Sequence, residues 1–121
     1  MSTTDTIAAI ATPHAAGGIS VIRISGSDAV ALAQACFRSV SGKTLSAMPG
    51  YTCTYGSFLD TDGTPLDDGI ATVFRAPRSY TGEDTAELQC HGSPAVLRAG
   101  LQALFAAGAR QALAGEFTKR A

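Results

Sequence analysis

The sequence predicts an α+β fold: a mixed β-sheet with two or three helices packed mainly on one face. Three observations lead there. Short β-branched or alternating stretches dominate the chain, and only two segments place apolar residues at helical spacing. In order these segments run β-β-α-β-β-β-α-β, strands in runs punctuated by two helices, which argues for α+β with a mixed sheet. No internal repeat or low-complexity linker divides the 121 residues, a length that fits one domain with a real core.

The first segment, Thr6 to Thr12, is small and apolar and stops at Pro13. A loop from Pro13 to Gly18 leads to Ile19-Ser20-Val21-Ile22-Arg23-Ile24-Ser25, whose β-branched content is strand-like. Ser25-Gly26-Ser27-Asp28 reads as a turn and N-cap. Ala29, Leu32, Ala33, Cys36 and Phe37 then predict a helix from about Asp28 to Arg38. Ser39 to Gly50 reads as a polar loop. Tyr51 to Leu59 and Gly69 to Arg75 read as an antiparallel pair of strands joined by a long turn around Asp62-Gly63, the second ending at Ala76-Pro77-Arg78-Ser79.

A strand around Glu87 follows. Ser93 is a good N-cap with Pro94 at the first helical position, Leu97, Leu101, Leu104 and Phe105 form one apolar stripe, and Gly108 closes the helix. Ala109 to Leu113 is a last strand candidate. Gly115 to Ala121 begins a further element without a cap or polar tail, as expected of a domain cut from a longer protein.

Composition narrows the function classes. Charged residues make up 16% of the chain, below the usual quarter or so, which fits a domain that covers part of its surface against other domains or a second copy. Nine Lys and Arg against ten Asp and Glu give a net charge of −1, so no electrostatic footprint for nucleic acid is present. Cys36, Cys53 and Cys90 are widely spaced and odd in number, a pattern of reduced thiols without a zinc motif. The first residues lack a basic region, and the apolar run Ile7 to Ala11 is too short for a signal or a membrane span. The chain reads as cytoplasmic, with no membrane partner.

Several residues invite a chemical reading. Glu87 sits mid-strand, sharing parity with Thr85 and Gln89, while Ala86, Leu88 and Cys90 take the other face. Either this polar side lies in water, or a buried carboxylate there needs a partner. Arg23 shares a face with Ile19 and Val21, and two readings stay open for it: a structural pair with a carboxylate, or a bound anion. His14 reads as solvated, and His91 as a turn residue or a catalytic base. Cys90 and His91, adjacent on a strand, point to opposite faces and make a poor nucleophile-base pair. Gly17-Gly18 is explained as well by a tight turn as by a ligand loop. Gly42-Lys43-Thr44 has the ending of a phosphate loop, but Phe37 stands where that motif needs its first Gly, and a helix is expected before it.

Several blocks together carry a family resemblance. Asp5-Thr6-Ile7-Ala8-Ala9-Ile10-Ala11-Thr12-Pro13, Gly17-Gly18-Ile19, and Val21-Ile22-Arg23-Ile24-Ser25-Gly26 closely resemble the start of the MnmE (TrmE) tRNA-modification GTPases. So do Tyr80-Thr81-Gly82-Glu83-Asp84, Glu87-Leu88-Gln89, His91-Gly92 and Gly115-Glu116-Phe117-Thr118-Lys119-Arg120-Ala121. The match runs from residue 5 to the last residue in the family's order and spacing. Two departures are visible: His14-Ala15-Ala16 where the family often has Gly, and Ala114 where it usually has Pro.

The resemblance implies that residues 1–121 are an N-terminal tetrahydrofolate-binding and dimerisation domain, similar to the folate-binding domain of aminomethyltransferases. Helical and GTPase domains would follow it. It implies a tetrahydrofolate derivative, 5-formyl- or 5,10-methylene-tetrahydrofolate, as one-carbon donor, and GTP, Mg and K in the full-length protein. It also implies a homodimer and an FAD-dependent partner, MnmG (GidA), the complex modifying carbon 5 of the wobble uridine of tRNA. Carried onto this sequence, the folate-binding residues are Arg23 and Glu87. The chemistry agrees: one carboxylate can accept from the adjacent N–H and amino groups of a pterin, and a guanidinium fork can hold another acceptor. A further Lys used by the family lies beyond Ala121, so the site here is incomplete. Neither a catalytic residue nor a metal ligand set is expected within these residues. The alternative reading is a purely structural dimerisation domain; a free-standing methyltransferase would need a second domain.

Overall fold

Alternation sorts the strands into one side that is almost wholly apolar and one that is mixed, and the fold follows from burying the first. In the computed structural model, which describes residues 5–11 and 19–121, seven strands form one sheet. They are β1 (Ile7–Ile10), β2 (Ser20–Ser25), β3 (Phe37–Ser39), β4 (Thr52–Leu59), β5 (Pro65–Phe74), β6 (Thr85–Cys90) and β7 (Arg110–Gln111). Their spatial order is β3-β4-β5-β6-β2-β1-β7. Every pairing is antiparallel except that of β1 with β7, so the sheet is mixed and the fold is α+β as the sequence predicts. The expected Pro13–Gly18 loop, with His14 and Gly17-Gly18, lies outside the described residues.

Helices α1 (Ala29–Ala35) and α2 (Pro94–Ala107) cover the apolar face. Ala8, Ile22, Ile24, Ala71, Val73, Ala86 and Leu88 from the sheet form one core cluster with Ala29, Val30 and Ala33 of α1 and Leu97, Leu101 and Leu104 of α2. The start and stop of α2 are the ones its sequence signals. Ser93 Oγ accepts from Val96 N, Pro94 opens the helix, and Gly108 ends it at φ 128°, a conformation that favours glycine. Gly100 brings α2 close over Ile22. A third helix, α3 (Glu116–Arg120), lies toward the mixed face, where Phe117 meets Arg23. Two helices on one face and a short one on the other refine the expected layering.

One strand forms where the sequence predicts none, and another starts earlier than local pattern suggests. The first helix stops at Ala35 instead of reaching Arg38, because Phe37 joins β3 opposite Phe58 of β4, with the two buried rings 5.9 Å apart in an edge-on arrangement. Asp28 sits at the start of that helix but makes no side-chain cap. In the same way β5 begins at Pro65 rather than Gly69, since its pairing with β4 extends down to Leu59 and Leu66 packs on the core. Gly69 is pressed against β6: an added Cβ would lie 2.0 Å from the Gln89 carbonyl oxygen.

A charge network ties α3 to the sheet. Arg110 places Nε 2.6 Å from Asp5 Oδ2 and Nη2 2.6 Å from Glu116 Oε2. Arg120, whose side chain is 8% exposed, donates to Asp5 Oδ1 and to the Asp5 carbonyl, each at 2.7 Å, and to Glu83 Oε1 at 3.2 Å. The first turn of α3 thus carries an acid and its last turn a base, in keeping with the helix dipole.

The network fixes the acid sensitivity of the domain. Arg110, and then the Leu113 N–H, hold the Glu116 carboxyl down at about 2, and Asp5 is lowered chiefly by Arg110. A carboxyl with a lowered folded-state pKa contributes stability above its unfolded value, here 4.5, and that contribution fades as pH falls toward 2. The urea midpoint should therefore drop over this window, and Glu116→Gln should make the profile flatter there while lowering stability at neutral pH. An unchanged acid limb in the variant would assign the acid sensitivity elsewhere.

Candidate functional site

On the mixed face, registration brings chemistry-bearing side chains into one row. Arg23 of β2 lies opposite Glu87 of β6, and Glu87 lies opposite Thr72 of β5, with Ala9 of β1 on the other side of Arg23. Arg23 Nε donates to Glu87 Oε2 at 2.9 Å. The side chains are 26% and 18% exposed, so this is a half-buried pair and not a solvated strand face. Of the two openings for Arg23, the structural pair is realised, and its carboxylate is the other residue singled out. A consequence for Glu87 is that one oxygen is held by protein, where the sequence reading had looked to ligand.

Among the described residues the pair has hydrogen-bonding capacity to spare. Neither Nη1 nor Nη2 of Arg23, nor Oε1 of Glu87, takes a hydrogen bond from or to another of the described residues. Arg23 lines a cavity of about 350 Å³ together with Ala9, Tyr80, Leu113, Phe117 and Thr118. Glu87 stands behind Arg23 and is not itself part of the lining. The volume falls at the lower end of the range for small-molecule sites, about 300–1,000 Å³. Apolar walls with one cationic fork suit a flat ligand carrying hydrogen-bond acceptors.

Two aromatic residues complete the surroundings, and sequence reasoning assigned them no role. The Arg23 guanidinium carbon lies 5.3 Å from the Tyr80 ring centroid and 5.7 Å from that of Phe117. The Tyr80 hydroxyl meets the Thr118 hydroxyl at 2.9 Å, joining the loop before β6 to α3. Below them Ser25, Thr81 and Glu83 are linked, with Ser25 Oγ 2.6 Å from Thr81 Oγ1 and donating to Glu83 Oε1 at 2.8 Å. Both rings stand outside regular strands, so no periodicity marked them; each did lie in a block shared with the family.

The remaining candidates do not come together as a site. Cys90 is buried on the helix-covered side and its thiol is pushed up by burial, whereas His91 is exposed beyond the strand end. Gly42-Lys43-Thr44 follows the edge strand β3, not the helix expected there, and leads into a single 3₁₀ turn, Leu45–Ala47. A phosphate loop needs the start of a full helix at that point. Among the described residues no group of His, Cys, Asp and Glu is arranged to hold a metal ion, and no helix is long and apolar enough to cross a membrane.

Comparison with known proteins places the chain as a whole. The family model described as the GTP-binding protein TrmE N-terminus matches residues 6–121. The chain is 47% identical over 121 residues, all of its length, to a tRNA modification GTPase MnmE of Christiangramia forsetii. It is 48% identical over 117 residues, 97% of its length, to the MnmE of Symbiobacterium thermophilum, and 45% identical over 122 positions to that of Geobacillus kaustophilus. These alignments cover 25%, 26% and 26% of the relatives, so the chain spans about a quarter of their length. With a family model matched from the first strand to the last helix, the chain belongs to the TrmE N-terminal family, the kind of domain found in tRNA modification GTPases named MnmE.

Proposed function

We propose that this domain binds a reduced folate, 5-formyl- or 5,10-methylene-tetrahydrofolate, as the one-carbon donor of a tRNA wobble-uridine modification, and that it also forms a homodimer. The observation that carries the reading is the half-satisfied Arg23–Glu87 pair beside an aromatic-walled cavity of pterin size. Glu87 Oε1 offers an acceptor to the pterin N–H and amino edge, and the Arg23 fork offers donors to an acceptor on the same ligand. In this reading Arg23 and Glu87 are the folate-binding residues and residues 1–121 are the N-terminal domain. GTP, Mg and K, the MnmG partner and the contact with tRNA belong to the whole protein, acting in the cytoplasm.

Self-association draws on the low charge content of 16% and on large apolar side chains left exposed, Ile19, Tyr55 and Ile70 among them. Sedimentation at tens of micromolar should give the mass of two chains; a one-chain mass removes that half of the reading.

Calorimetric titration with 5-formyl-tetrahydrofolate tests the other half. Glu87→Gln exchanges an acceptor oxygen for a donor facing a donor, and should weaken binding by roughly 2–4 kcal/mol, or about 30- to 1000-fold. Its melting temperature should change little, because a half-exposed ion pair contributes on the order of 0–1 kcal/mol. Arg23→Ala should weaken folate as well and lower stability somewhat through lost packing of its stem. Equal affinity in wild type and Glu87→Gln would leave the pair as a structural strap, and absence of any binding by the full-length protein would favour a domain devoted to dimerisation.

A further inference from the structure

We infer that Tyr80 and Phe117 are positioning residues, an aromatic clamp that fixes the plane of the Arg23 guanidinium and presents its two terminal nitrogens as a rigid fork to the cavity. The inference deepens the folate reading and rests on it for the identity of the ligand. Its basis is local geometry. Among the described residues the guanidinium is hydrogen-bonded only through Nε, to Glu87; such a group keeps freedom to turn about that bond, and a mobile fork forms paired hydrogen bonds at an entropic cost. Here the guanidinium carbon also lies over two rings, at 5.3 Å and 5.7 Å, within the range where a ring face attracts a cation.

The two rings come from separate parts of the chain and are themselves anchored. Tyr80 is fixed through its hydroxyl to Thr118, one residue beyond Phe117, so the two halves of the clamp are joined at 2.9 Å. Phe117 sits on α3, which Arg110 and Arg120 hold to Asp5 through contacts of 2.6 Å and 2.7 Å. Tyr80 stands 53% exposed, an arrangement that burial of apolar area does not explain and that contact with a cation does. A fork held flat in this way favours a ligand that offers two adjacent acceptors over one with a single carbonyl.

The test uses the 121-residue chain with Tyr80→Phe, Tyr80→Leu and Phe117→Leu. Tyr80→Phe keeps the ring but loses the hydroxyl that anchors it to Thr118, and should lose less affinity for 5-formyl-tetrahydrofolate than Tyr80→Leu does. Tyr80→Leu and Phe117→Leu should each lose about 5- to 30-fold in affinity. A second readout needs no ligand: the Nε–H resonance of Arg23 by ¹⁵N NMR should be ring-shifted in wild type, and should lose part of that shift in Tyr80→Leu and in Phe117→Leu. A Tyr80→Leu variant with an unchanged Arg23 resonance, or with affinity within about twofold of wild type, overturns the clamp. A clamp-dependent resonance in a full-length protein that binds no folate would overturn the ligand assignment and leave the clamp standing.

Discussion

The Arg23–Glu87 pair is the interaction around which the mixed face of the sheet is organised. It joins β2 to β6 at the middle of the strand order, on the side that α1 and α2 do not cover. A carboxylate at a strand centre with 18% of its side chain exposed is costly without a counter-charge, and the partner directly opposite supplies one at 2.9 Å. Pairs of this kind add little net stability compared with apolar residues in the same place. Arg23 of this pair also lines the cavity on the mixed face, and its terminal nitrogens make no side-chain hydrogen bond among the described residues.

The second level of organisation is electrostatic too, and it serves the first. Asp5, at the entrance to β1, receives Arg110 from the end of α2's return and Arg120 from the last turn of α3, while Glu83 receives Arg120 from the other side. These contacts span as many as 115 positions of sequence. They fix α3 where Phe117 and Thr118 become cavity wall, so the shape of the cavity depends on ion pairs that do not touch it. A shallow groove over β1 and β2 thereby acquires an aromatic side.

Legibility in the sequence followed the range of the interactions. Ser93, Pro94 and Gly108 bounded α2 because caps act over three or four residues. Phe37 misled, since it continues the apolar stripe of α1 and only its partner Phe58 reveals it as a strand residue. The early start of β5 was hidden by Asp67 and Asp68, which read as turn until their pairing with Phe58 and Ser57 is known. Arg23 and Glu87 were each singled out on chemistry, yet their partnership depends on a register between strands 64 positions apart. Tyr80 and Phe117 carry no periodic signal, because their role is set by a cation on a different element.

The claim that this pair is a ligand-binding centre is tested most directly by a crystal structure of the chain grown with saturating 5-formyl-tetrahydrofolate. The account predicts flat density beside Phe117, with acceptors of the ligand on the Arg23 terminal nitrogens and a donor edge on Glu87 Oε1. Density for the ligand elsewhere, such as the hollow between Ile19, Tyr55 and Ile70, or an Arg23–Glu87 pair untouched at saturation, would contradict it.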